Sequence, residues 1–238
     1  MNIKAFIVFV IVFVIVSMAL ISCSENKPVR SNSSSTVPEV KKGVTPLADS
    51  EIAVIEMENS AAFGTIKIEL YSNVAPKMVA RFKELAKEGF YNGTSFHRIN
   101  LSVIQGGDPL SKDAADNEEP KTENKEKTAN GVNEKKGEIP KQIGSGKSDK
   151  PDVEAEFSDI LYETGIVGAA RSQDFNSANS QFFITLKREA AFDNKYTIFG
   201  KVIEGMNNAR TISGVEPKTG ERPVEDVKIK SITIQPKN

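Results

Sequence analysis

The feature that most restricts this chain is a two-residue alternation placed at both ends of one long stretch. Ile52-Ala53-Val54-Ile55-Glu56-Met57-Glu58 and Gly64-Thr65-Ile66-Lys67-Ile68-Glu69-Leu70 alternate apolar and polar residues near its start, and residues 227–234 alternate again at its close. Successive side chains of a strand point to opposite faces, so each segment offers one dry face to a core. Asn59, Ser60 and small residues separate the first two, which predicts an antiparallel hairpin. Pro76 then opens a segment with Met78, Phe82 and Leu85 at helical spacing, closed by Gly89. Proline at the first turn and glycine just past the last mark the two ends of a short amphipathic helix. Strand-like pieces follow at 103–105, 165–170, 181–186 and 196–202. Many short strands with two helices predict a mainly β architecture, a closed β-barrel.

The first fifty residues have a different character. Ala5 to Leu20 form an almost unbroken, uncharged run of Ile, Val, Phe, Leu and Ala behind Lys4, the plan of a signal peptide. The run ends in Leu20-Ile21-Ser22-Cys23, which resembles the site at which bacterial lipoproteins are cut and acylated on cysteine. Cys23, the only cysteine, is the expected lipidation site, with residues 1–22 as the signal peptide; an uncleaved membrane anchor is the alternative. Either reading places the domain outside the cytoplasm, held to a membrane, with no intrachain disulfide. Residues 23–50, rich in Ser, Asn, Lys and Pro, read as a flexible tether, and residues 51–238 as the folded domain.

A second stretch, 111–150, is dense in Lys, Glu, Asp and Asn and almost free of large apolar residues. Such a segment cannot bury enough surface to offset its ordering entropy and reads as a charged surface insertion. Its acidic members Asp113, Asp116, Glu118 and Glu119 match no calcium loop and are read as solvated. Gly144-Ser145-Gly146-Lys147-Ser148 is similar to a phosphate loop, but Lys141 stands where the first glycine belongs, so nucleotide binding is rejected. A net charge of −1 argues against nucleic acid as a partner.

Local sequence then carries the reading further. Tyr91-Asn92-Gly93-Thr94-Ser95-Phe96-His97-Arg98 with Gln105-Gly106-Gly107-Asp108-Pro109, then Ala170-Arg171-Ser172 with Asn176-Ser177-Ala178-Asn179-Ser180-Gln181-Phe182-Phe183-Ile184, then Phe192-Asp193-Asn194-Lys195-Tyr196-Thr197-Ile198-Phe199-Gly200-Lys201-Val202 resemble, in order, the signatures of the cyclophilin family. The resemblance implies a cyclophilin-like eight-stranded antiparallel barrel capped by two helices, with a peptide groove on its outer face. It implies peptidyl-prolyl cis-trans isomerisation of proline-containing polypeptides, with no cofactor and no metal; nothing in the sequence suggests more than a monomer. Arg98 is the implied catalytic residue. Gln105 and Gln181 are implied in substrate binding, and Phe96, Phe183, Phe192 and Tyr196 in the socket for the proline ring. The backbone at Ala170 and Arg171 is implied as the peptide-binding edge. His97, the only histidine, falls among the groove residues and reads as structural support beside Arg98.

The chain departs from that pattern between Arg98 and Gln105, where it is one residue short. The usual pocket phenylalanine falls on Ser102 and the usual methionine on Val103, while Ala191 stands where some members carry a large residue. These departures motivate a second reading, a proline-peptide binding module with little turnover. The charged insertion motivates a third, a partner-docking protein using the barrel as scaffold.

Overall fold

A computed structural model describes residues 37–112 and 142–237. The signal peptide, Cys23 and most of the charged insertion, with its acidic cluster, lie outside the described residues. Strands β1 (Glu51–Met57) and β2 (Thr65–Leu70) form the expected hairpin, joined through a single helical turn, α1 (Ser60–Phe63). Asn59 caps that turn by accepting the Ala62 N–H at 3.2 Å. Ala53, Ile55 and Met57 of β1 and Ile66, Ile68 and Leu70 of β2 all enter one sealed apolar core, as their alternation requires.

Helix α2 (Pro76–Lys87) lays Met78, Val79, Phe82, Leu85 and Ala86 against this core. No neighbouring side chain caps it. The Glu156 carboxylate does so from far along the chain, accepting the Lys77 and Met78 N–H groups at 3.1 and 3.0 Å. An anion there satisfies orphan donors at the positive end of the helix dipole. Helix α3 (Met206–Ser213) buries Ala209 and Ile212 on the same core.

The remaining strands are β3 (Arg98–Ile99), β4 (Val103–Gly106), β5 (Ile166–Ala169), β6 (Phe182–Thr185), β7 (Ile198–Glu204), the small pair β8 (Pro217–Thr219) and β9 (Arg222–Pro223), and β10 (Ile229–Pro236). Eight of the ten strands form one curled antiparallel sheet in the order β10-β1-β2-β7-β5-β6-β4-β3. The last strand carries a correction to simple alternation. Its core residues Ile229 and Ile232 are three apart, because the register slips between Glu56 and Met57 and places one extra residue in β10. A bulge of this kind returns two odd-spaced residues to the same face.

The sheet is not the closed barrel predicted above. Its ladder is open between β3 and β10, where a lone bridge between Ser95 and Lys228 and three flanking backbone hydrogen bonds join the ends. At two residues, β3 is too short to carry a ladder along β10.

Two boundaries also need correction. The tether prediction fails for residues 37–50. Lys41 pairs with the backbone of Phe157 and Asp159 and donates its ammonium to the Val74 carbonyl at 2.8 Å. Asp49 takes hydrogen bonds from Ser72 and Lys83. This strap has no apolar period because backbone bonds and single polar side chains hold it. The insertion is likewise narrower than 111–150. Ser111 is fully buried and accepts the Ser95 N–H, and residues 142–150 pack back onto the domain.

Candidate functional site

Register decides which side chains meet. Arg98 lies opposite Gln105, Gln105 opposite Phe183, and Phe183 opposite Gly168, so one row crosses β3, β4, β6 and β5. Residues paired across antiparallel strands project to the same face. The next row, Ile99, Ile104, Ile184 and Val167, lies wholly in the sealed core. The row of Arg98 therefore points outward.

Along that row a polar chain runs from the guanidinium. Arg98 donates through Nη1 to Gln105 Oε1 at 3.3 Å, and Gln105 donates to Gln181 Oε1 at 2.9 Å. Gln181 donates in turn to the carbonyls of Gly144 and Gly146 at 3.0 and 2.7 Å. Arg98 also donates through Nε to Glu221, which accepts from Asn100 with its other oxygen at 2.6 Å. The hydrogen bond from Arg98 holds the Glu221 carboxyl below its usual range. The shortened β3–β4 connection is a tight turn in which Asn100 Oδ1 accepts the N–H groups of Ser102 and Val103 at 2.7 and 2.8 Å.

Beside this polar chain sits a second apolar cluster, separate from the core. Phe183 packs edge-on against Phe192 at 5.3 Å and Tyr196 at 5.7 Å, with Val103 and Ile198 nearby. Phe192, Tyr196 and Ala170 are only half-buried, so the cluster opens outward there. Gly168 makes the hollow: a Cβ at that position would lie 2.4 Å from the Phe183 ring and 2.6 Å from the Tyr162 hydroxyl. Tyr162 was not singled out from the sequence. Its ring, fully buried, stacks on Phe183 at 5.7 Å, an aromatic wall from a segment that carried no motif. Arg171 is pinned at the rim, its guanidinium between Phe175 and Tyr196 and bonded to the Lys195 carbonyl.

Two of the residues implied at the groove are buried. Phe96 is fully buried in the main core, its ring 6.1 Å from Phe182, and forms no part of the aromatic cluster. His97 is 6% exposed, and neither ring nitrogen has a hydrogen-bond partner. Burial depresses its pKa, against the opposing pull of the Asp108 charge.

A cleft of about 630 Å³ continues from Gln105 and Gln181 between the 144–147 segment on one side and Ala170, Arg171, Ser172 and Asp174 on the other. The first of these walls falls in the stretch that reads from sequence as a charged surface insertion. The phosphate-like glycines there do bind an anion, an internal one: Gly144 and Gly146 N–H groups both donate to the buried Asp108 carboxylate. The spacing of the two glycines from Asp108, some 36 and 38 residues, hid this pairing.

Comparison with known proteins finds relatives across most of the described domain. Residues 54–234 match the family described as cyclophilin type peptidyl-prolyl cis-trans isomerase/CLD. A probable peptidyl-prolyl cis-trans isomerase of Brucella suis is 38% identical over 159 residues, 66% of this chain and 71% of that protein. The human peptidyl-prolyl cis-trans isomerase-like 1 is 33% identical over 175 residues, 71% of this chain and 85% of that protein. Among solved structures, a cyclophilin-type isomerase of Cryptosporidium parvum, crystallised in the presence of the dipeptide Ala-Pro, superposes with a TM-score of 0.60 at 25% identity, covering 78% of this chain and 99% of that one.

Proposed function

The chain belongs to the cyclophilin-type peptidyl-prolyl cis-trans isomerase family, and from that membership we propose that it isomerises Xaa-Pro bonds of exported polypeptides outside the cytoplasm, assisting their folding while lipid on Cys23 holds it to a membrane. The apolar run before Cys23 supports the location, and the Ala-Pro dipeptide present with the Cryptosporidium protein supports the substrate class. Rotation about an Xaa-Pro bond is opposed by about 18–20 kcal/mol of amide resonance. No nucleophile is needed; the enzyme only has to favour the twisted amide over the planar one.

As the bond twists, the proline nitrogen regains its lone pair. The Arg98 guanidinium donates to that nitrogen, a bond with no counterpart in the planar substrate, and its charge strengthens it. Phe183, Phe192 and Tyr196 grip the pyrrolidine ring, Gln105 binds the peptide backbone, and the edge at Ala170 and Arg171 aligns the residues before the proline. The observation that carries this reading is the row in which Arg98 and the Phe183 socket share one face with Gln105 between them.

The test is prolyl isomerisation of Xaa-Pro peptides by the full chain and by its Arg98→Ala variant. Turnover should fall on the order of 100-fold in the variant, as for loss of one donor to the reacting atoms. Peptide binding without turnover in the parent would instead favour the proline-peptide binding module, a reading supported by Ser102, Val103 and Ala191 standing where the family pattern has other, larger residues.

A further inference from the structure

The shortened β3–β4 turn creates a contact set that the established chemistry does not use. Glu221, between β8 and β9, meets the hairpin in three ways. Its carbonyl accepts the Ile99 N–H at 2.7 Å, one carboxylate oxygen takes the Arg98 Nε–H, and the other takes the Asn100 amide at 2.6 Å. Asn100 is itself fixed by the turn, with its Oδ1 committed to two backbone N–H groups. The carboxylate is thus oriented from one side and orients the guanidinium on the other.

An arginine side chain is long and rotamer-rich, and holding its planar fork in one pose lowers the entropy lost when it bonds a substrate. Glu221 occupies only the Nε edge, and of the Nη groups only Nη1 has a partner, the weakly held Gln105. The Nη edge is left facing outward, which is the part of the fork a substrate nitrogen can reach.

We propose that Glu221 is a positioning residue for the isomerase reaction: with Asn100 it clamps Arg98 by the Nε edge and presents the Nη edge to the twisting amide. The inference rests on the isomerase reading given above. Both side chains are about two-fifths exposed, so the pair adds little to stability and its effect belongs to catalysis. Because the backbone bond from Ile99 to Glu221 survives any side-chain change, the hairpins stay docked in the variants.

The test compares the full chain with Glu221→Gln and Glu221→Ala by saturation kinetics on an Xaa-Pro peptide, and by the Arg98 Nε–H signal in proton–nitrogen NMR. Loss of an interaction made only in the transition state lowers kcat and leaves KM, so Glu221→Ala should lose about 5- to 20-fold in kcat with KM changed less than about twofold. Glu221→Gln, which keeps shape and a neutral acceptor, should fall between. The Nε–H signal, exchange-protected in the parent, should shift and broaden in Glu221→Ala with the thermal midpoint unchanged. In an Arg98→Ala background the second substitution should have no effect on residual turnover. An unchanged or raised kcat, or a rise confined to KM, would overturn the proposal. A parent without turnover would sink the isomerase reading instead, and the Nε–H signal would still decide whether the clamp exists.

Discussion

The two apolar clusters of this protein are built on opposite plans. The main core draws alternate residues from β1, β2, β5 and β6 and the inner face of α2, and Phe82, Tyr91, Phe96, Phe182 and Phe199 are sealed within it. The smaller cluster gathers single residues from many places: Tyr71, Val74, Val103, Tyr162, Ile166, Phe183 and Ile198, with Val44 of the strap and the half-exposed Phe192 and Tyr196 against them. Periodic elements make a surface that closes on itself. Scattered contributions leave a rim, and a rim is what a ligand needs. The adjacent residues Phe182 and Phe183 fall on either side of this division because strand neighbours face opposite ways.

The sharpest way to break the comparison is to truncate those two phenylalanines in turn. Phe182→Ala should cost about 3–5 kcal/mol of unfolding free energy, the usual range for a large ring removed from a sealed core. Phe183→Ala should cost less, about 1–3 kcal/mol, because its cluster is open on one side and can relax. It should also abolish proline-peptide binding. Denaturant melts and peptide titration read both. Equal stability losses with binding kept in each would show that the second cluster is core by another name.

Gly168 sharpens the same point. Here the sheet carries no side chain, and the Phe183 ring and the Tyr162 hydroxyl fill the space. Gly168→Ala should force the Phe183 ring out of place, costing about 1–3 kcal/mol by overpacking and weakening peptide binding more than it weakens the fold. Binding at parental strength would mean the ring moves without consequence.

The strap comes next. A chain beginning at Ser50 loses Lys41, Val44 and Asp49, and with them the contacts to Val74, Ser72 and the small cluster. About 1–2 kcal/mol of stability should go with them, the value of one partly buried apolar side chain and a few exchanged hydrogen bonds. Peptide affinity should fall against a chain beginning at Val37, because Val44 backs the socket cluster. Identical affinity in the two chains would make the strap a passive leader.

What the sequence makes legible follows the same division. The hairpin, α2 and the last strand can be read from period and punctuation, because each element buries a continuous face. The slip that brings Ile229 and Ile232 to one side cannot, since a bulge breaks the period it would be read from. The strap and the 142–150 segment look like linkers, because backbone bonds leave no trace in composition. At the candidate site, Arg98, Gln105, Phe183, Phe192 and Tyr196 are singled out only through resemblance to a family, and the same resemblance points to Phe96 and His97, which are buried. Glu221 is invisible for a plainer reason: it lies 123 residues from the arginine it holds. Tyr162 carries no motif at all.

The smallest effect tests the boundary between core and groove at His97. As the only histidine, it gives an unambiguous titration. Burial lowers its pKa in the folded protein below the ordinary 6.5, so the native state prefers the neutral ring. Above pH 6.5 both states are neutral there and this contribution to stability is complete. As pH falls through 6.5 the unfolded chain takes up the proton first, and stability is lost until the folded-state pKa is reached. The slope cannot exceed about 1.4 kcal/mol per pH unit, the value for one proton. His97→Gln should flatten that part of the stability profile, whatever it does to the absolute value, while carboxylates such as Glu221 that are held below their usual range still titrate at lower pH. If the slope below pH 6.5 persists in the variant, the ring is solvated in the folded state and belongs to the groove after all.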